Sequence, residues 1–98
     1  MDLNKTLRSA IRTGEVLLGS NETVDSVKNK KAKLVILASN SPASVEKAIE
    51  GEDVPVFEYP GGSGDLGSAC GKPFSVAALA VIDPGESEIL SLKGTQKG

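Results

Sequence analysis

The stretch from Lys33 to Ala38 constrains the fold more than any other part of the chain. It reads Lys-Leu-Val-Ile-Leu-Ala, with Leu34, Val35, Ile36 and Leu37 uninterrupted at its centre. Side chains alternate between the two faces of a strand, so a strand with one wet face alternates apolar and polar residues. Consecutive aliphatic residues need cover on both faces, the pattern of a strand inside a helix-covered sheet. The fold must therefore set helices above and below a sheet.

The rest of the chain supplies those helices. Leu3, Leu7, Ala10 and Ile11 recur at helical spacing, with Asp2 as a cap and Gly14 as a stop. Val16 to Leu18 reads as a short strand closed by Gly19, and Ser20 can cap a second helix that turns Val24 and Val27 inward and runs out near Asn29. Ser41-Pro42 is a helix start, Ser as cap and Pro in the first turn, followed by Val45, Ala48 and Ile49 and stopped by Gly51. Val54 to Tyr59 is a strand whose Pro55 suggests a sheet edge. After the loop Pro60 to Gly64, Asp65 to Cys70 has room for one or two helical turns before Gly71 and Pro73.

Ser75 to Ile82 reads as a strand, Asp83-Pro84-Gly85-Glu86 as a type II turn, and Ser87 to Leu92 as a returning strand, with Thr95 to Gly98 a frayed tail. Helices alternating with strands in this order predict an α/β fold, a three-layer α/β/α sandwich with a small mixed sheet. The final hairpin is expected to supply its antiparallel pair. Residues 1–98 form a single domain: 39% hydrophobic residues suffice for one core, and 3% aromatics make that core aliphatic.

Two shortages narrow the chemistry. There is no His, which removes Ser-His-Asp and Cys-His catalysis and His-ligated zinc. Cys70 is the single cysteine, so no intrachain disulfide or thiol-based metal site can form, and among small neighbours it reads as a buried hydrophobe. No catalytic residue, metal or cofactor is expected. No apolar run reaches the length of a membrane-spanning helix, and Met1 to Ala10 lacks a signal-peptide pattern, so a cytoplasmic protein is expected.

The net charge of −2 argues against binding RNA by bulk electrostatics. The charge is nevertheless polarised. Lys28, Lys30, Lys31 and Lys33 cluster, whereas Glu46 to Asp65 holds six acids against Lys47 alone. Such runs are commonly plain solvated faces.

Sites in open α/β sheets gather at strand ends and helix N-termini. Three segments fall there: Gly19 to Glu22, Asn40 to Pro42, and Gly71 to Phe74. Gly19 lets a backbone approach closely, and a helix N-terminus offers free N–H groups to an anion. Asn21 and Glu22 can hydrogen-bond base edges, or simply cap their helix. Asn40 can contact a ligand or tie its own loop. Phe74 can stack on an unpaired base, or anchor the core as the next strand begins.

A decoy must be weighed. Gly62-Ser63-Gly64-Asp65-Leu66-Gly67 is formally G-x-G-x-x-G after a predicted strand, with Asp83 further on. A dinucleotide-binding unit needs a long crossover helix there, and Gly71 and Pro73 leave no room for one.

Four segments in order carry a resemblance: Gly19-Ser20-Asn21-Glu22-Thr23-Val24, Ala32 through Leu34-Val35-Ile36-Leu37 to Asn40-Ser41-Pro42, Asp65-Leu66-Gly67-Ser68-Ala69-Cys70-Gly71-Lys72-Pro73-Phe74, and Asp83-Pro84-Gly85-Glu86-Ser87. Together they resemble the kink-turn RNA-binding family of archaeal and eukaryotic-type large-subunit ribosomal proteins, over essentially the whole chain. The resemblance implies a structural, non-enzymatic role in the large ribosomal subunit, with ribosomal RNA and neighbouring ribosomal proteins as partners, no membrane, and a monomer when free. It implies that Gly19, Asn21 and Glu22 meet the sheared G·A pairs of a kink-turn, that Asn40 contacts RNA, and that the loop Lys72, Pro73 and Phe74 packs on an unstacked nucleotide. Lys28, Lys30, Lys31 and Lys33 are candidate phosphate contacts. The sequence departs from the family at Asp25 and Ser75, where a basic residue is usual, which bears on binding strength. The alternatives are a kink-turn protein of another ribonucleoprotein, a dinucleotide-binding module, and a scaffold that binds only protein.

Overall fold

Residues 3–90 are described in the computed structural model, and eight elements alternate along them: α1 (Leu3–Thr13), β1 (Glu15–Leu18), α2 (Ser20–Lys28), β2 (Leu34–Leu37), α3 (Ala43–Ile49), β3 (Val56–Glu58), α4 (Ser63–Ala69) and β4 (Ala78–Asp83). The aliphatic run is β2, and it lies inside the sheet, whose order is β1-β4-β2-β3. It pairs antiparallel with β4, Leu34 opposite Val81 and Leu37 opposite Ala78, and parallel with β3, Val35 beside Val56. β1 runs antiparallel along the other side of β4, with an irregularity between Glu15 and Val16. The sheet is mixed, as expected, and Pro55 precedes an edge strand.

Each face of β2 has its own cover. Leu34 and Ile36 pack with Leu7 and Ala10 of α1, Leu66 and Ala69 of α4, and Leu79 and Val81 of β4. Val35 and Leu37 pack with Val27 of α2, Val45 and Ile49 of α3, and Ala78. The result is α1 and α4 on one face and α2 and α3 on the other, the three-layer sandwich. All four residues of β2 are buried. At about 25 cal/mol per Å² of apolar surface, burying an aliphatic side chain contributes roughly 1.5–3 kcal/mol, so this strand is a large part of what holds the layers together.

Several element ends differ from expectation. No final strand forms before residue 91: Ile89 and Leu90 make a short helical turn instead, and Ile89 is fully buried against the α1/α4 face. The antiparallel pairs come from β4 with β1 and β2, not from a terminal hairpin. The turn beyond β4 is shifted by one residue: Ser87 N–H bonds Pro84 O, and Gly85 stands second in it with φ +60°. That shift lets Asp83 Oδ1 accept from Gly85 N–H at 2.9 Å. β3 and β4 are shorter at their starts than the predicted strands, and α4 begins two residues early, its Asp65 carboxylate accepting from Gly62 N–H at 3.3 Å. Pro42 is the extended residue preceding α3 rather than its first helical one, with ψ 141°. On α2, Thr23 and Ser26 share the inward face with Val27, and Ser26 Oγ donates to Thr23 O at 2.9 Å. The Asp2 cap, Ser91 and Leu92 of the predicted last strand, and the Thr95–Gly98 tail lie outside the described residues.

Candidate nucleic-acid interface

β1 and β2 run in the same direction because both are antiparallel to β4, and β3 is parallel to β2. The C-terminal ends of these three strands and the N-terminal end of β4 therefore lie at one end of the sheet. Gly19 follows β1, Asn40 follows β2, Gly61 to Ser63 follow β3, and Lys72 to Phe74 precede β4. The three loops singled out in the sequence thus meet, and backbone bonds weld them to one another. Gly19 N–H bonds Ala78 O at 2.8 Å, Ala38 N–H bonds Ala77 O at 2.9 Å, and Ser39 N–H bonds Gly61 O at 2.8 Å.

Gly19 has φ +113° and ψ 155°, a conformation that side-chain-bearing residues rarely adopt. It is the N-cap of α2, and no side chain bonds there. Asn21 and Glu22 are exposed in the first turn of the helix, and capping does not account for them. Two turns of α2 separate Asn21 from Lys28, and with Val24, Asp25, Ser20, Pro42, Ser44 and Val45 they line a groove of about 400 Å³ between α2 and α3. Asp25 stands on its wall.

Asn40 ties the loops together. Its Oδ1 accepts from Ser63 N–H, the first residue of α4, at 2.8 Å. That donor fixes which end of the amide is oxygen. Asn40 is exposed, and the Nδ2 donors are the part of its amide not committed to that bond. Those donors suit an acceptor such as a phosphate, a ribose oxygen or a base carbonyl.

α4 supports the remaining loop. A Cβ on Gly67 would collide with the Phe74 carbonyl, so the backbones of α4 and of the Phe74 loop touch where only glycine fits. Lys72 N–H bonds Gly67 O at 3.0 Å. Held this way, Phe74 turns outward and is 55% exposed, the one large hydrophobic side chain exposed among the described residues. It is not a core anchor. Pro73 beside it is also exposed, and Lys72 is half-buried. Cys70 below is buried, and burial pushes its thiol up to about 11, with Lys72 and Arg8 pulling the other way. It stays protonated at neutral pH and serves as packing.

The lysine cluster lies elsewhere. Lys33 precedes β2, at the opposite end of the sheet, and Lys30 and Lys31 lead to it from the C-terminus of α2. Lys28 Nζ is 3.3 Å from Glu52 Oε2. Lys30 N–H bonds Val27 O and Lys31 N–H bonds Ser26 O, the double bond pattern of a Schellman helix stop. Lys30 has φ +61° in the position where glycine usually stands. The structure does not bring Lys30, Lys31 and Lys33 together with the loops.

Sequence reading missed Arg8. It lies on α1, 60 residues from its partner, and its Nη2 donates to Ser68 O at 3.2 Å. No local pattern marks it.

The glycine-rich decoy is also resolved. The strand after α4 is antiparallel to β2, not parallel, so β3-α4-β4 is no crossover unit. Gly67 is committed to the Phe74 backbone, and α4 has seven residues.

The α/β/α sandwich gathers polar loops, a glycine-capped helix and one outward aromatic at a single end, groups whose chemistry suits a nucleic acid. The family comparison makes the assignment specific: residues 1–91 match the ribosomal protein L7Ae/L30e/S12e/Gadd45 family, and the chain belongs to it. It is 50% identical over 91 residues to the large ribosomal subunit protein eL30 of Methanosarcina mazei, covering 93% of this chain and 88% of that one. It is 50% identical over 94 residues to the eL30 protein of Methanosphaerula palustris, covering 95% and 98%. A solved structure of a protein of unknown function from Bacillus halodurans superposes with TM-score 0.78 at 27% identity, covering 97% of this chain and 98% of that one.

Proposed function

We propose that this chain is a structural, non-enzymatic component of the large ribosomal subunit, and that it binds a kink-turn of ribosomal RNA with the loop end of its sheet. Membership of the family and the eL30 relatives support the ribosomal role, with ribosomal RNA and neighbouring ribosomal proteins as partners on the cytoplasmic ribosome. The observation that carries the interface is the convergence of Gly19, Asn21, Glu22, Asn40 and the Lys72-Pro73-Phe74 loop at one end, with Phe74 outward.

Asn21 and Glu22 offer an amide and a carboxylate to base edges; a carboxylate accepts from an amino or imino group, which suits the exposed edges of sheared G·A pairs. Phe74 and Pro73 offer an apolar surface to an unstacked base. Asn40 donates to an acceptor. Lys28, at the far end of the α2/α3 groove, is the candidate phosphate contact nearest this surface, while Lys30, Lys31 and Lys33 lie outside it. The free protein is a monomer, a reading supported by the lack of other exposed large hydrophobics among the described residues.

Titration with a kink-turn RNA tests the reading. Wild-type protein should bind the intact RNA and lose most of its affinity when the G·A pairs become Watson–Crick pairs. Equal affinity for both RNAs would overturn it. Sedimentation of the free protein checks the monomer.

A further inference from the structure

The loop end carries little positive charge for a surface that meets RNA. Glu22 and Asp25 stand on the α2 side, the residue after Phe74 is Ser75, and the chain has a net charge of −2. Lys72 is the cation that the loop itself provides. The structure adds a second from far away in sequence. Arg8 projects from the exposed side of α1, beside the buried Leu7, and crosses to the last turn of α4.

There its Nη2 donates to Ser68 O at 3.2 Å, a carbonyl that also accepts from Gly71 N–H at 2.9 Å. Its Nε lies 3.7 Å from where a Cβ on Gly71 would sit. Gly71 has φ +78° and leads directly into Lys72, Pro73 and Phe74. The guanidinium is therefore held at the root of the Phe74 loop by a rigid helix and a helix end. The negative pole of α4 favours a cation there.

Three further features fit Arg8 to a ligand. A guanidinium has five N–H donors in a planar fork, and the bond to Ser68 uses one. No carboxylate among the described residues pairs with it, and it is exposed. Arg8 and Lys72 both act on the Cys70 thiol, and Lys72 directly follows Gly71, which Arg8 Nε approaches. A planar fork beside a second cation is the donor set that takes a phosphate bidentately.

We propose that Arg8, together with Lys72, holds a backbone phosphate of the RNA next to the nucleotide that Phe74 contacts, so that the interface extends from the end of the sheet onto α1. The proposal rests on the RNA-binding reading above. It assigns a residue that no loop motif contains. Phosphate contacts add affinity and register without base specificity. Arg8 should therefore act on binding strength and salt dependence, and leave the preference for G·A pairs unchanged.

The experiment is a titration of the full chain with one kink-turn RNA at about 50 and about 200 mM salt, for wild type, Arg8→Lys and Arg8→Gln, with thermal melting of each protein. Each neutralised phosphate adds roughly 0.7–0.9 to the logarithmic salt slope. Arg8→Gln should flatten the slope by about that amount, which makes the affinity lost between the two salts about threefold smaller. At low salt it should bind at least threefold more weakly than wild type. Arg8→Lys should keep the slope and bind with intermediate affinity, since the charge stays and the fork goes.

If Arg8→Gln lowers the melting temperature but leaves affinity and slope at wild-type values, Arg8 only closes the end of α4 and the proposal fails. The proposal also fails if affinity falls while the slope stays unchanged. A wild-type protein that does not bind the RNA at all overturns the functional reading itself, an outcome distinct from either.

Discussion

The two ends of the sheet solve the same problem, closing the connections between layers, in different ways. At the loop end, backbone groups of separate loops bond one another, as Gly19 does with Ala78 and Ser39 with Gly61, and the side chains are left outward. At the other end the contact between α1 and the turn after β4 depends on two glycines, a device the loop end uses once, at Gly67 against Phe74. A Cβ on Gly14 would strike the Asp83 carbonyl, and a Cβ on Gly85 would strike Thr13 Oγ1 and the Gly14 nitrogen. Thr13 Oγ1 accepts from Glu86 N–H at 2.9 Å and donates to Ser9 O at 2.7 Å, locking α1 to the turn after β4. The first end keeps outward donors, acceptors and an aromatic; the second joins α1 to the turn after β4 through close backbone contact and Thr13. Stability and recognition are therefore separable, and substitutions should divide accordingly.

The largest effect is expected at the packed end. Gly85→Ala meets both a left-handed backbone at φ +60° and a steric collision. Strain of about 1–2 kcal/mol adds to overpacking of about 1–3 kcal/mol, so thermal or denaturant unfolding should show a loss of about 3 kcal/mol. The fraction still folded should bind RNA as wild type does.

At the loop end the division reverses. Asn21→Ala, Glu22→Ala and Phe74→Ala should each cost about 1–3 kcal/mol of RNA binding. Their stability should change by no more than about 0.5 kcal/mol, because all three side chains are exposed. A large drop in the melting temperature of Phe74→Ala would return that residue to the core and break the comparison.

Asn40 is the one residue in which both roles are joined. Asn40→Ala loses the bond to Ser63 and should destabilise by about 1 kcal/mol. Asn40→Asp keeps an acceptor for that N–H at the start of α4, where a negative charge is favoured, and should melt near wild type. It should nevertheless bind RNA poorly, since the donor is gone. Equal loss of stability in both variants would mean that the amide is oriented otherwise.

Lys30 lies away from the loop end and in a strained conformation. Lys30→Gly should raise stability by about 1 kcal/mol, as glycine relieves the left-handed residue of a helix stop. RNA affinity should not move; a clear loss would enlist the lysine cluster in the interface after all.

The smallest effect is at the groove wall. Asp25→Lys should tighten RNA binding by up to about 1 kcal/mol at low salt and less at high salt. Asp25 is the sixth of the nine residues of α2, beyond the first turn where the helix dipole favours an acid, so melting should stay near wild type. An unchanged affinity and salt slope would mean that RNA does not run along α2.

The sequence by itself determined the layers. The aliphatic run at Leu34–Leu37 demanded cover on both faces, and helical spacing at Leu7/Ala10 and Val45/Ile49 supplied it, because periodicity records burial locally. Gly19 with Asn21 and Glu22, Asn40, and Lys72 with Phe74 were legible as strand-end loops for the same reason.

What it could not fix was anything decided by approach between distant segments. Ser87 to Leu90 has the composition of a strand, but Ile89 finds its burial against α1 and α4, so no sheet edge recruits it. Phe74 could face in or out until Gly67 set the height of its backbone. Asn40 could cap or contact until Ser63 took its oxygen. Lys30, Lys31 and Lys33 fall away from the loops because a strand delivers its two ends to opposite sides of the molecule. Arg8 reaches Ser68 across 60 residues because α1 and α4 share one face of the sheet. Periodicity says which side of an element is buried, and only the packed sheet says which ends meet.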